Sequence, residues 1–394
     1  MLGKESKKRA LIVATISGFV PQFVMNNVYI LQEKGYEVHY ASNFNNVHFG
    51  LDNNRLNGTG VVRHQVDFVR SPFKIMANIR AYRQLRKVMK ETFYDMVHCH
   101  TPMGAVLARV TAKPYRKKGT KVFYTAHGFH FYKGAPMKNW LFFYPVEKWL
   151  SRYTDVLITI NKEDYACAKA FCREKITKVE YIPGVGIDIK KIKECADGVD
   201  RSAKRKELGL QEDDFVVLNV AELIKRKNQR VILEALKELK ERHPEVKLLL
   251  CGNGPTEPEL ECYVKENGLE EQVRFLGYRT DVFELCGIAD CFVLSSLHEG
   301  LSVALMEAMA AGLPIICSEI RGNVDLAEPG ENWHLVKSPN GTEYAEKIET
   351  VLRNRVAGKD RKTGIDFKYD EQEISKHIER IYTDNLRISS ESEL

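Results

Sequence analysis

In the stretch SSLHEGLSVALMEAMAAGLPIICSE, residues 295–319, Glu299 and Glu307 stand eight residues apart on either side of a Gly-Leu-Ser step. An apolar run ends at Ser296, a polar loop holds His298, Glu299 and Gly300, and the small and apolar residues from Leu301 or Ser302 onward predict a helix. The first N–H groups of a helix have no intrahelical acceptor, and with the helix dipole they favour an anion such as a phosphate. Gly300 permits close approach of a ligand to the backbone. Glu299 falls just outside this helix mouth and Glu307 on the second turn, where it faces the same cleft if the helix register turns it inward. A carboxylate accepts hydrogen bonds from a pair of sugar hydroxyls. A phosphate flanked by two polyols is the outline of a nucleotide sugar. Taken singly, Glu299 could equally complement the helix dipole and Glu307 could be solvated.

Two further clusters could work with such a ligand. IKRKNQR, residues 224–230, gathers cations that could meet an anion such as a phosphate, although a solvated basic turn has the same composition. In YTAHGFHFYKGAPMKNW, residues 124–140, His127 follows a predicted strand and precedes Gly128, so its ring can project from a strand end. A lone histidine there is more often structural. The HCH at 98–100 is a poor metal site, because alternate strand residues face one way and leave only two histidines together.

The elements that must carry these residues alternate between short apolar runs and longer helical patterns, which predicts parallel sheets with crossover helices. Strands are expected at 9–16, 37–42, 96–100, 121–127 and 155–161, with a helix at 22–35 closed by Gly35. A second series is expected at 215–223, 246–254, 273–278, 291–296 and 313–319, with a helix at 228–243. YIPGVGID, 181–188, breaks regular structure with Pro183, Gly184 and Gly186 and marks the seam. At 369–382, Ile374, Ile378 and Ile381 recur at helical spacing beside Tyr382, so a terminal helix could cross back onto the first domain; the SSESEL tail is expected to be loose. The resulting fold class is α/β, two Rossmann-like parallel-sheet domains facing across a cleft, divided as 1–186, 187–366 and a returning segment 367–394.

Composition narrows the function. A chain of 394 residues exceeds one ordinary core, and 44% apolar with 28% charged residues is a globular composition. The nine cysteines are scattered without a C-x-x-C pair, which fits reduced thiols and neither a disulfide frame nor a zinc site. KKRALIVATISGFV imitates a signal peptide, but Thr15, Ser17 and Gly18 interrupt its apolar run and a small-residue cleavage site is missing, so a cytoplasmic protein is expected. The net charge of +6 conceals a division: residues 1–188 hold 29 Lys+Arg against 14 Asp+Glu, a balance of +15, and the remainder is acidic. The basic clusters RAYRQLRKVMK (80–90) and KPYRKKG (113–119) have no nucleic-acid-binding fold around them, so no nucleic acid partner is expected; an anionic membrane surface or simple solvation accounts for them. NWLFFYPVEKWL, 139–150, suits either a membrane interface or a helix packed on a sheet.

HEGLSVALMEAMAAGLPII resembles the E-x7-E signature of the family 4 retaining glycosyltransferases, which have the two-domain GT-B fold. The likeness extends over nearly the whole chain: NVAELIKRKNQ (219–229) resembles the family's strand-loop-helix with a phosphate-binding cation, LLLCGNGP (248–255) its Gly-x-Gly-Pro turn, and VRFLGYRTDV (273–282) its base-contacting loop. YTDVLITINKEDY (153–165), with the His127 segment, resembles the bacterial capsule and exopolysaccharide branch. The resemblance implies that Glu307 binds the ribose, Glu299 the donor sugar and its phosphate region, the backbone of Gly300, Leu301 and Ser302 the diphosphate, and the loop at Tyr278 and Arg279 the base. It assigns Lys227 to the phosphate, His127 to the donor sugar, Gly252 and Gly254 to the donor turn, and Gly18, Phe19 and His130 to the acceptor side. One departure stands out: Ala221-Glu222-Leu223 replaces the usual Gly-Arg-Leu, so a phosphate-clamping Arg is absent and Arg226 or Lys225 would have to compensate.

The expectation is therefore a retaining transferase, without metal or cofactor, that moves a sugar from a UDP-type donor to a lipid-linked saccharide at the inner face of the cell membrane. A nucleotide-sugar epimerase of the same fold and a non-catalytic nucleotide-sugar-binding protein are the alternatives.

Overall fold

The computed structural model describes residues 7–47, 53–327, 332–356 and 364–386. It separates into two compact units, one running to Val185 and resuming at Gln372, the other Gly186–Glu371. The first unit contains β1 (Arg9–Ile16), β2 (Glu37–Asn43), β3 (Val62–Gln65), β4 (Met96–Cys99), β5 (Lys121–Ala126), β6 (Val156–Thr159) and β7 (Lys178–Tyr181), in the sheet order β3-β2-β1-β4-β5-β6-β7. The second contains β8 (Phe215–Val220), β9 (Val246–Cys251), β10 (Val273–Gly277), β11 (Cys291–Leu294), β12 (Ile315–Ser318) and β13 (Trp333–Val336), in the order β10-β9-β8-β11-β12-β13. All strand pairs are parallel, and helices fill the crossovers.

Strands covered on both faces must be apolar throughout, which is why β1 (RALIVATI) and β8 (FVVLNV) are buried along almost their full length. The three strands that apolar runs did not predict, β3 (VRHQ), β7 (KVEY) and β13 (WHLV), all lie at sheet edges. An edge strand is open on one side and tolerates polar residues, so its sequence loses the buried-strand signature. The helix expected at 22–35 is instead two, Phe19–Phe23 and Met25–Glu33, broken at Val24. It starts earlier because Pro21 occupies the first turn, where its missing N–H would have no helical acceptor anyway.

Each sheet reverses its strand order once, between β1 and β4 in the first unit and between β8 and β11 in the second. The connections leaving two such neighbouring strands diverge to opposite faces and open a crevice at the strands' carboxyl ends. The terminal helix Glu371–Leu386 returns to the first unit, burying Ile374, Ile378, Ile381 and Tyr382. The Tyr382 hydroxyl meets His98 Nδ1 at 2.7 Å. The SSESEL tail lies outside the described residues.

Candidate active site

In the second unit, the segments leaving β8 and β11 are latched together at the switch point. The turn Lys225–Lys227 ends at Asn228, which takes a left-handed conformation (φ 51°). Ser295 Oγ lies 2.9 Å from the carbonyls of both Lys227 and Asn228, and the Leu297 N–H donates to the Arg226 carbonyl at 2.8 Å. This latch brings residues 72 positions apart into an ion cluster: Lys227 Nζ lies 2.6 Å from Glu299 Oε1, and Arg226 NH1 3.0 Å from Glu299 Oε2. Arg226 NH1 also donates to the His298 carbonyl at 2.9 Å. Burial pushes the Glu299 carboxyl up, but Lys227 and Arg226 outweigh it and hold it at about 2. Glu299 is therefore ionised throughout the physiological range. Of the two cations that could stand in for the absent Arg of the 221–223 segment, Arg226 pairs with Glu299 and Lys225 is exposed.

The helix begins at Val303, with Ser302 as its N-cap and Ser302 Oγ accepting from the Leu305 N–H at 3.4 Å. The Val303 and Ala304 N–H groups have no helical acceptor and point out of the helix mouth, next to Gly300 and Leu301. The loop after β12 supports this mouth from behind. Arg321 Nε donates to the Glu299 carbonyl at 3.2 Å. Gly322 (φ +81°) packs so closely that a Cβ there would fall 2.3 Å from the Gly300 carbonyl oxygen.

Glu307 behaves in the opposite way to Glu299. It sits between the buried Met306 and Ala308 on the helix Val303–Ala310, with no hydrogen-bond or ion-pair partner for its carboxylate among the described residues. Burial pushes its carboxyl up to about 7.

Gly252 and Gly254 hold the β8 exit segment. A Cβ on Gly252 would lie 2.0 Å from the Ala221 carbonyl oxygen, and one on Gly254 2.1 Å from that of Leu223. The Ala221 and Leu223 N–H groups donate to the carbonyls of Cys251 and Asn253. Both glycines are thus required for loop-to-loop packing whatever ligand they meet. Arg279 is engaged by Asp281, Nε to Oδ1 at 2.8 Å, and Asp281 also takes Lys204 Nζ at 2.6 Å. Tyr278, beside it, is exposed and free to stack on a flat ligand.

In the first unit, Gly18 is the N-cap of Phe19–Phe23 in the loop after β1, and Phe19 packs edge-on against His127, 4.9 Å between ring centroids. His127 Nε2 lies 3.1 Å from His100 Nδ1, and the His98 and His100 rings are 4.2 Å apart. The HCH histidines are therefore not an isolated pair, because the strand-end His127 from the neighbouring β5 extends them to three in a row. Burial lowers all three, His127 to about 4 and His98 to about 3, so they are neutral imidazoles at physiological pH. His98 Nε2 meets Thr125 Oγ1 at 2.8 Å, completing a chain to Tyr382. A small cavity of ≈ 20 Å³ opens beside His100 and His127, bounded by Asn27, Thr125 and Ser375. His130 packs elsewhere, on Phe143 at 4.7 Å. Among the described residues, no group of three His, Cys, Asp or Glu is arranged to hold a metal ion.

Sequence reasoning missed Arg321, Ser295, His100 and Tyr382. Their contacts span long sequence separations and carry no local signal, apart from the position of His100 just past a strand end.

Two Rossmann-like domains with a carboxylate–cation cluster at a helix mouth make up the GT-B fold. The family model for glycosyl transferases group 1 matches residues 200–370, and that for glycosyl transferase 4-like proteins residues 10–161. The chain is 39% identical over 365 residues to EpsD of Bacillus subtilis (strain 168), named as a glycosyltransferase, covering 91% of this chain and 93% of that one. It is 31% identical over 290 residues to the Escherichia coli UDP-Gal:alpha-D-GlcNAc-diphosphoundecaprenol alpha-1,3-galactosyltransferase, covering 72% of each. The crystal structure of Anabaena Alr3699/HepE in complex with UDP superposes with a TM-score of 0.70 at 19% identity, over 96% of this chain and 100% of that one. The chain belongs to the GT4-like glycosyltransferase family.

Proposed function

We propose that this glycosyltransferase moves a hexose-type sugar from UDP, with retention of anomeric configuration, onto a lipid-linked saccharide in capsule or exopolysaccharide assembly at the inner face of the cell membrane. The observation that carries the reading is the pairing of Lys227 and Arg226 with the buried Glu299 at the mouth of the helix Val303–Ala310. A diphosphate leaving group needs positive charge and N–H donors where its own charge develops. Lys227, Arg226 and the free N–H groups supply both, and in this reading no divalent metal is required. The acceptor hydroxyl attacks the anomeric carbon on the face from which the diphosphate departs; the new C–O bond forms as the old one breaks, and the hydroxyl proton passes to the departing phosphate oxygen. Glu299 aligns the cations and the donor sugar, Glu307 accepts from the ribose hydroxyls, and His127 steadies the donor sugar as a neutral imidazole. The UDP-Gal donor and diphosphoundecaprenol-linked acceptor in the name of the E. coli relative, and the UDP in the Anabaena structure, support the donor and acceptor classes.

The test is nucleotide release from UDP-, GDP- and ADP-sugars, with and without a lipid extract and with chelator present, followed by mass analysis of sugars and lipids. UDP release coupled to a lipid gaining one sugar is expected. Lys227→Ala lowers the rate by about a hundredfold to a thousandfold with folding intact, and an unchanged rate would refute the reading. Sugar conversion without release would instead identify an epimerase, and binding with neither a non-catalytic protein.

A further inference from the structure

Helix Met137–Leu150 presents five of its apolar residues to solvent and its one carboxylate to the interior. Met137, Leu141, Phe142, Val146 and Trp149 are 73, 68, 66, 40 and 45% exposed. Their spacing places them on one half of the helix surface, with the exposed Lys138 and Lys148 among them. The inward face carries Trp140 and Tyr144, which pack on Phe131 at 5.6 and 5.4 Å, and the buried Glu147. Glu147 fixes this rotation. Its two carboxylate oxygens take the Arg109 guanidinium at 2.8 and 3.1 Å, and Arg109 in turn lies 4.1 Å over the Tyr124 ring. Rolling the helix to hide Phe142 or Trp149 would leave a buried guanidinium without its carboxylate, so the apolar face is held outward.

Cations border this face. Lys113 Nζ sits 4.6 Å over the Tyr153 ring, whose edge meets Trp149 at 5.3 Å. Helices Ile75–Glu91, Pro102–Arg116 and Met137–Leu150 pack side by side. As crossover helices they run opposite to the strands, so their first turns lie at the carboxyl end of the sheet, the end where His127 follows β5. At that end Phe73, just before the first helix, and Ile75 and Met76 in its first turn are exposed, 82, 66 and 77%, followed along the helix by the exposed Arg80, Arg83, Arg86, Lys87 and Lys90. A second copy of the chain docked here about a two-fold axis would press this cationic surface against an identical one. An anionic bilayer offers the complementary charge together with an apolar interior.

We infer that the outward face of helix Met137–Leu150 is the surface by which this domain enters an anionic lipid leaflet, with Leu141, Phe142 and Trp149 reaching the acyl boundary and Lys138 and Lys148 meeting headgroup phosphates. The inference rests on the lipid-linked acceptor of the reading above, for which it supplies the docking surface.

The test is co-sedimentation of the full chain with phosphatidylglycerol–phosphatidylethanolamine vesicles, alongside UDP release with a water-soluble short-chain acceptor and sedimentation velocity without lipid. The wild type is expected to bind these vesicles and not pure phosphatidylcholine, and Leu141→Ser/Phe142→Ser to bind at least about a hundredfold more weakly, with UDP release and thermal midpoint unchanged. Equal binding by the double variant, or none by the wild type, overturns the inference. A wild-type dimer that the double variant dissolves, without vesicle binding, overturns it in favour of a second copy. UDP release absent with every donor, while vesicle binding still follows Leu141 and Phe142, removes the transferase reading and leaves the membrane surface standing.

Discussion

Replacing Glu307 by Gln isolates the energetic consequence of placing an unpaired carboxylate on a buried helix. The folded-state value of about 7 exceeds the ordinary 4.5, so the proton on Glu307 favours the folded protein. That contribution is fully present below pH 4.5 and is lost as pH rises through about 7. The gap corresponds to about 3 kcal/mol against the wild type at pH 8, and to less than about 1 kcal/mol at pH 5. Glu307→Gln, which cannot ionise, escapes this penalty. With about 2–4 °C per kcal/mol for a unit of this size, its thermal midpoint should exceed that of the wild type by roughly 6–12 °C at pH 8 and by only about 2–3 °C at pH 5. The same substitution should weaken UDP binding about tenfold to a hundredfold, because an amide offers one acceptor where the carboxylate offers two. Differential scanning calorimetry at the two pH values and isothermal titration with UDP measure both arms. A variant no more stable than wild type at pH 8 would show that Glu307 is solvated and not desolvated, and unchanged UDP affinity would remove it from the ribose site.

Gly322→Ala places a Cβ 2.3 Å from the Gly300 carbonyl and should lower UDP affinity at least about tenfold by displacing the helix mouth. Gly35→Ala, with the same φ of +81° but nothing within 4 Å, should cost only about 1 kcal/mol of stability and leave the affinity untouched; equal effects from both would mean that backbone strain and not the close approach matters. Since burial holds His127 near 4, His127→Asn should lower turnover while preserving the shape of the pH–rate profile between pH 5.5 and 8, and loss of an inflection in that window would show that His127 titrates there.

The sequence made the central strands legible because a parallel strand covered on both faces has little choice but to be apolar, as in residues 9–16 and 291–294. The edge strands at 62–65, 178–181 and 333–336 escaped, since one open edge relaxes that demand. Glu299, Lys227 and the helix mouth were legible from residue type and likeness. What could not be read was that Lys227 and Glu299 would form an ion pair, that Arg321 would brace the loop from behind, and that the terminal Tyr382 would reach His98, because each joins elements that become adjacent only after folding. Helix 137–150 shows the limit most plainly. Leu141 and Phe142 face out while Phe143 and Tyr144 face in, and all four are large apolar or aromatic residues, so hydropathy cannot separate the two faces. The discriminating residue was Glu147, whose burial depends on Arg109, 38 positions earlier.

The two carboxylates with which the chemistry begins look interchangeable in sequence, yet the fold gives them opposite electrostatics. Glu299, tied to Lys227 and Arg226, is ionised at about 2, so the cluster of these three side chains carries a net charge of +1. The helix mouth adds roughly half a positive charge. Under the proposed function, that is too little to trap a diphosphate permanently, but its effect grows as charge accumulates on the departing phosphate. Glu299 thus tempers the cations while holding them in place. Glu307, on the same helix, has no cation to stabilise it and stands near 7. Its carboxylate becomes favourable only when a ligand brings hydroxyl donors to it, so nucleotide binding at pH 6–7 should release a proton from Glu307. Under the proposed function, one position would meet the charge of the leaving group and the other the neutral hydroxyls of the nucleoside, two halves of one ligand read by carboxylates eight residues apart.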